Sequence, residues 1–93
     1  MQPNECRKFL IDKGDRILEH RTEYKGVCVG DKFTIQSLKF TYEVLFFFKD
    51  AVFDTYPMIC GYCWETKNPI FCATTLITVK KEEIIKRKRR IQQ

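Results

Sequence analysis

At 93 residues the chain has room for one hydrophobic core and not two. Its longest apolar run, Val44 to Phe48, ends at Lys49, far short of the roughly 18 residues of a membrane-spanning helix. The net charge of +5 is segregated: residues 1–79 hold ten basic and ten acidic side chains, while residues 80–93 hold seven basic and two acidic. The opening MQPNECRKFL carries charges where a secretory leader is apolar, so export by that route is not expected. Five cysteines is an odd number for a disulfide framework and reads as reduced thiols in a cytoplasmic protein, or a nuclear one if the host is eukaryotic.

In chain order, Pro3 and Asn4 are suited to start a helix, with Asn4 as cap and Glu5 favourable in the first turn. Cys6, Phe9 and Leu10 then share a face, and Gly14 ends the element. A strand over Lys8 to Ile11 competes; a short helix or irregular lead-in is the preferred reading. Arg16 to Arg21 reads as the first strand. Thr22 to Lys32, with Gly26, Gly30 and Asp31, reads as a long loop that tucks Val27 and Val29 inward and turns Cys28 outward.

Phe33 to Phe48 is the organising stretch. From Leu38 its even positions are Leu38, Phe40, Tyr42, Val44, Phe46 and Phe48, separated at first by Lys39, Thr41 and Glu43. This two-residue period predicts one long strand with a buried face. Beyond Val44 the odd positions Leu45 and Phe47 are apolar too, so that end should be covered on both sides. Lys49-Asp50 then turns into a brief returning strand, Ala51 to Phe53. Met58 to Glu65 and Ile70 to Val79 form a hairpin about Lys67-Asn68, placing Cys63 opposite Cys72 and Trp64 opposite Phe71, with Asn68 at positive φ. Past Val79 the strand pattern is lost, and Ile84, Ile85 and Ile91 fit an amphipathic helix with Glu82 and Glu83 near its start.

The run from Gly14-Asp15 into the first strand, followed by Gly30, Phe33, Thr34 and Ile35, resembles the opening of small SH3-like β-barrel domains of bacteriophage and mobile-element proteins. Trp64 and the segment to Val79 fit the late aromatic and final strand of that pattern, and the similarity covers about two-thirds of the chain. The long central strand, the Phe-rich segment and the cysteine hairpin depart from it. The resemblance implies a barrel and no activity. The fold expected is therefore mainly β: a five-stranded SH3-like barrel over residues 1–79 and a basic extension over residues 80–93.

Paired carboxylates, HExxH, P-loop and GxSxG patterns are absent from the sequence, and the sole histidine, His20, stands among Glu19, Arg21 and Glu23. A binding protein is expected rather than an enzyme. Cys60-Gly61-Tyr62-Cys63 with Cys72, and Cys28 or His20 as fourth ligand, has the makings of a zinc site, but a second close pair is missing and Gly61 would have to bend the strand. The competing reading packs Cys63 and Cys72 as small apolar neighbours, with no cofactor. A redox reading of the same motif lacks the helix N-terminus that lowers a thiol pKa.

The most informative surface feature is cationic: Lys80, Lys81, Lys86, Arg87, Lys88, Arg89 and Arg90. Such a run suits phosphate through counterion release, independent of base sequence. Nucleic acid or a nucleoprotein is the expected partner. The alternatives are a nuclear-import address if the host is eukaryotic, an acidic protein surface, such as a host complex modulated by a phage-encoded protein, and simple solubility. Tyr62, Trp64 and Phe71 are either core or a surface on which bases stack. One apolar face of the cysteine hairpin closes the barrel, and the other is left for a dimer or partner.

Overall fold

The computed structural model describes residues 1–53, 55–80, 82 and 84–86. Its first element is the helix α1, Pro3–Asp12. Pro3 at the first helical position has no N–H to leave unpaired, and the backbone N–H of Gln2 donates to Glu5 Oε1 at 2.8 Å. Gln2, not Asn4, is thus the cap. Gly14 follows the helix at φ 97°, a left-handed turn that releases the chain into β1, Arg16–Leu18.

The segment from Thr22 to Lys32 is not a plain loop. It folds into a small hairpin, β2 (Glu23–Tyr24) with β3 (Val27–Cys28), turning through Lys25 and Gly26, both at positive φ. Val27 is buried as expected, but Val29 is exposed. The expected long strand is also interrupted. It is a hairpin of β4, Lys32–Ile35, and β5, Tyr42–Lys49, joined by residues 36–41 with Leu38 exposed. The two-residue rhythm ran across a turn, because Leu38 N–H bonds back to Ile35 O at 2.9 Å and Phe33 must meet Tyr42.

After β5, residues 51–53 bend without forming the expected returning strand. Then come β6 (Met58–Cys63) and β7 (Asn68–Ala73), a 3-10 turn over Thr74–Leu76, and β8 (Ile77–Val79). The turn thus breaks the single strand expected from Ile70 to Val79. All six large-sheet strands are antiparallel in the order β7-β6-β5-β4-β8, with β1 on the far half of the β5 edge that β4 occupies. Among the described residues no pairing joins β7 to β8, so the sheet is not closed and the five-stranded count does not match it. None of the described helices is long and apolar enough to cross a membrane.

Two cores lie on the two faces of this sheet. One gathers Phe33, Tyr42, Val44, Phe47, Ile59, Cys63 and Cys72. The other gathers Phe46, Phe48, Cys60 and Tyr62 beneath Cys6 and Leu10 of α1. A strict alternation cannot send both Val44 and Phe47 to one side. The register with β6 supplies the reason: Val44 faces Gly61 and Phe46 faces Cys60, so β5 carries one extra residue there, a β-bulge at Leu45. The bulge flips the phase, and Phe46 and Phe48 turn under the helix.

Candidate functional site

The cationic extension leaves the sheet at a defined place. β8 pairs with β4 through Val79 opposite Phe33, and the Lys80 N–H donates to Lys32 O at 3.0 Å, prolonging that ladder by one bond. Lys80 is exposed, and residues 82 and 84–86, including Lys86, are helical, as the tail pattern anticipated. The remaining cations of the expected site, Lys81, Arg87, Lys88, Arg89 and Arg90, lie outside the described residues, as do Glu83 and Ile91. Beside the exit, Lys32 is ion-paired across the strands with Glu43.

The three aromatic residues read as either core or contact surface are divided. Tyr62 is buried, and its hydroxyl donates to Met1 O at 2.5 Å. Phe71 is covered by α1: the Phe9 ring stacks on it at 5.6 Å and Phe48 meets it edge-on at 6.0 Å. Only Trp64, 54% exposed and edge-on to Tyr62 at 4.7 Å, presents a ring to solvent. The second apolar face of the hairpin, expected to be a dimer or partner surface, is occupied by the chain's own helix.

The cysteines are divided too. Cys60 belongs to the helix-side core and Cys63 and Cys72 to the opposite one, as the strand period implies for a Cys-x-x-Cys run. Cys28 sits half-buried on β3. The hairpin register differs from the expected one by four residues: Cys63 faces Asn68, and Cys72 faces Ile59. Cys63 and Cys72 are therefore not cross-strand neighbours. Lys67, not Asn68, takes the positive φ, at 59°, and its N–H donates to Cys63 O at 2.8 Å. Pro69 lies within β7, an edge strand of the sheet path, where a missing N–H costs little. Gly61 lies close against the Phe33 ring of β4, where an added Cβ would come within 2.4 Å of it. Burial pushes the Cys72 thiol up to about 11. At Cys63 burial also acts upward, but the hydroxyl and N–H of Thr66 and the N–H of Glu65 outweigh it and hold the thiol below its ordinary value. No group of three or more His, Cys, Asp or Glu placed to hold a metal occurs among the described residues.

His20 is exposed on the turn after β1, in an open groove of about 650 Å³ lined by residues 17–23. Its neighbours are of both signs and already engaged. Arg7 pairs with Glu19, and the Arg21 guanidinium lies 5.6 Å over the Tyr24 ring.

Sequence reasoning missed one surface. Val52 and Phe53 are 80% and 69% exposed on the β5–β6 connection, and Tyr56 is also exposed. This connection is firmly based. Asp15 Oδ1 accepts from Ala51 N–H at 2.8 Å, and Asp50 Oδ1 accepts from Val52 and Phe53 N–H at 2.8 and 3.0 Å. Lys13 Nζ bridges Asp15 and Asp50 at 2.7 and 3.3 Å. Those two N–H groups, aided by the Lys13 ammonium, hold the Asp50 carboxyl below its ordinary range. The available signal was an apolar pair, Val52-Phe53, directly after an Asp suited to an Asx turn.

No protein-family model, curated protein or solved structure matches this chain.

Proposed function

We propose that the protein is a non-enzymatic binding module whose cationic extension engages the phosphates of nucleic acid or a nucleoprotein. One observation carries the reading: the +5 charge resides entirely in residues 80–93, while residues 1–79 sum to zero. A neutral body and a basic end separate the folding task from the electrostatic one. The Lys80–Lys32 hydrogen bond supports it by fixing where the extension starts. An SH3-like relationship is part of the proposal. Gly14 and Asp15 stand just before β1, and Gly30 stands just before β4, which contains Phe33, Thr34 and Ile35.

Fluorescence anisotropy with labelled DNA and RNA across a salt series tests the reading. Affinity is expected to fall on the order of 10³-fold between 50 and 200 mM salt if six or seven cations neutralise phosphate. Removing residues 86–93 should abolish most of it. Salt-indifferent binding, or affinity unchanged by the deletion, would eliminate the proposal.

The exposed Val52, Phe53 and Tyr56 favour a second reading, a protein–protein module acting on a host complex. A pull-down repeated after nuclease treatment separates the two, because a protein partner survives the nuclease.

A further inference from the structure

The sheet path ends at β7, and among the described residues no strand pairs with its outer side. Pro69 tells which backbone groups face that side. It stands opposite Tyr62 and has no N–H. Along an antiparallel ladder, residues that bond to the neighbouring strand alternate with residues whose N–H and C=O turn away from it. The turned-away phase is the one that takes a proline without losing a bond. By the same alternation the backbone groups of Phe71 and Ala73 turn outward, while Asn68, Ile70 and Cys72 bond to β6. Ala73 is also the N-cap of the 3-10 turn Thr74–Leu76, so its C=O takes the first bond of that turn. A partner therefore finds Pro69 C=O, both groups of Phe71 and Ala73 N–H.

We propose that this edge pairs with β7 of a second copy of the chain, antiparallel about a two-fold axis at Phe71. Phe71 of each copy exchanges both of its bonds with the other. Ala73 N–H donates to the partner's Pro69 C=O. The reverse bond is neither available nor needed, because Pro69 has no N–H to give and Ala73 C=O is already taken. The edge lacks a donor where its own copy needs none. A strand of ordinary sequence fits less well, since its C=O opposite Pro69 would be left without a donor. Moving the axis to Pro69 joins two residues that have no N–H, and moving it to Ala73 joins two acceptors already in use.

Charge agrees with this occupant. Edge strands are commonly guarded by lysine or other charges that keep a second strand away. In a chain that is 31% charged, residues 68–79 hold no charged side chain, so this edge has nothing with which to repel itself. On the helix side, Phe9 is 45% exposed and stacks on Phe71 at 5.6 Å, and the two-fold sets that pair of rings against its copy. On the other face Ile70, packed with Cys72 against the first core, meets the partner's Cys72. The joined sheet runs from β8 of one copy to β8 of the other, so the two cationic extensions leave from opposite ends. Under the phosphate reading above, the dimer grips one polyanion at two places; the pairing itself is independent of that reading.

The test is sedimentation equilibrium of the full chain, freed of nucleic acid, across a micromolar concentration series. Hydrogen exchange and isotope-filtered NMR on mixed labelled and unlabelled chains locate the interface. Wild type should approach twice the mass of one chain as concentration rises, and the amides of Phe71 and Ala73 should gain protection over the same range. Filtered NOEs should join Hα of Ile70 to Hα of the partner's Cys72, a pair the axis brings close. Ala73→Pro removes an outward N–H without touching β6, and the Ala73 φ of -75° already suits proline. Dilute, this variant should melt as wild type does. Its dimer should be at least about 100-fold weaker, because a bond is lost on each side of the axis and Pro69 C=O is left without a donor. A chain that stays monomeric throughout, protection confined to another edge, or an Ala73→Pro dimer as tight as wild type would overturn the pairing. The wild-type measurements decide even if the proline variant fails to fold.

Discussion

The two halves of β5 do different work. Before the bulge, Tyr42 and Val44 serve the core shared with β4 and β8. After it, the strand feeds both cores, with Phe47 on the first and Phe46 and Phe48 beneath α1. The first half holds one sheet edge together; the second joins the helix to the sheet. One inserted residue, Leu45, lets a strand from a small chain supply two apolar layers. A domain of this size has little surface to spare for burial, so serving both faces with one strand is an effective use of its aromatics.

The largest expected effect comes from a pair of single-residue deletions that break or preserve this phase. Deleting Leu45 restores plain alternation with Tyr42, Val44 and Phe47 still on one side. Its cost should stay within about 1–3 kcal/mol, the range of ordinary point changes. Deleting Phe47 instead puts Phe48 in the first core and Lys49 under the helix. That should remove most of the roughly 5–15 kcal/mol that holds a small domain together. Urea unfolding followed by circular dichroism distinguishes them, and equal losses would refute the phase argument.

Side-chain truncation sharpens the contrast between the faces. Phe33→Ala should cost about 3–5 kcal/mol, and Leu10→Ala about 2–5 kcal/mol. Hydrogen exchange should locate the second loss: amides of α1 open first in Leu10→Ala, while those of β4 and β8 keep their protection. A uniform loss of protection would mean that the two layers are not separable.

Gly61→Ala gives a smaller effect, about 1–3 kcal/mol, because the new methyl meets the buried Phe33 ring. Thermal melts of the single variant and of the Gly61→Ala, Phe33→Leu pair check the cause, since a slimmer residue 33 should recover part of the loss. Smallest is the acid response of the β5–β6 connection. Asp50 titrates below its ordinary 3.8 when folded, through the N–H groups of Phe53 and Val52 and then through Lys13. Its stabilisation is therefore present above about pH 4 and is lost as pH falls through the folded value. Asp50→Asn should lower Tm at pH 7 by about what wild type loses in acid through this group, and so flatten the fall of Tm as pH drops below about 4.

Much of the architecture was legible where a local cause acts alone. Pro3 and Glu5 suit the start of a helix, and the alternation from Tyr42 to Val44 suits a strand with one buried face. The break at residues 36–41 was hidden because Leu38 and Phe40 happen to continue the period through a turn. For the candidate site, the charge count exposed the cationic extension, but the choice between core and surface for Tyr62 and Phe71 stayed open because the helix above them is remote in sequence.

The sequence by itself determined a mostly β domain with a neutral body and a basic end, because composition, alternation and charge segregation are properties of neighbours along the chain. The tertiary structure alone decided the phase flip at Leu45, the register of the β6–β7 hairpin and the company each cysteine keeps. Those depend on what fills the space across the sheet: a Phe33 ring lying on Gly61, and a helix laid over Cys60. No local period encodes either.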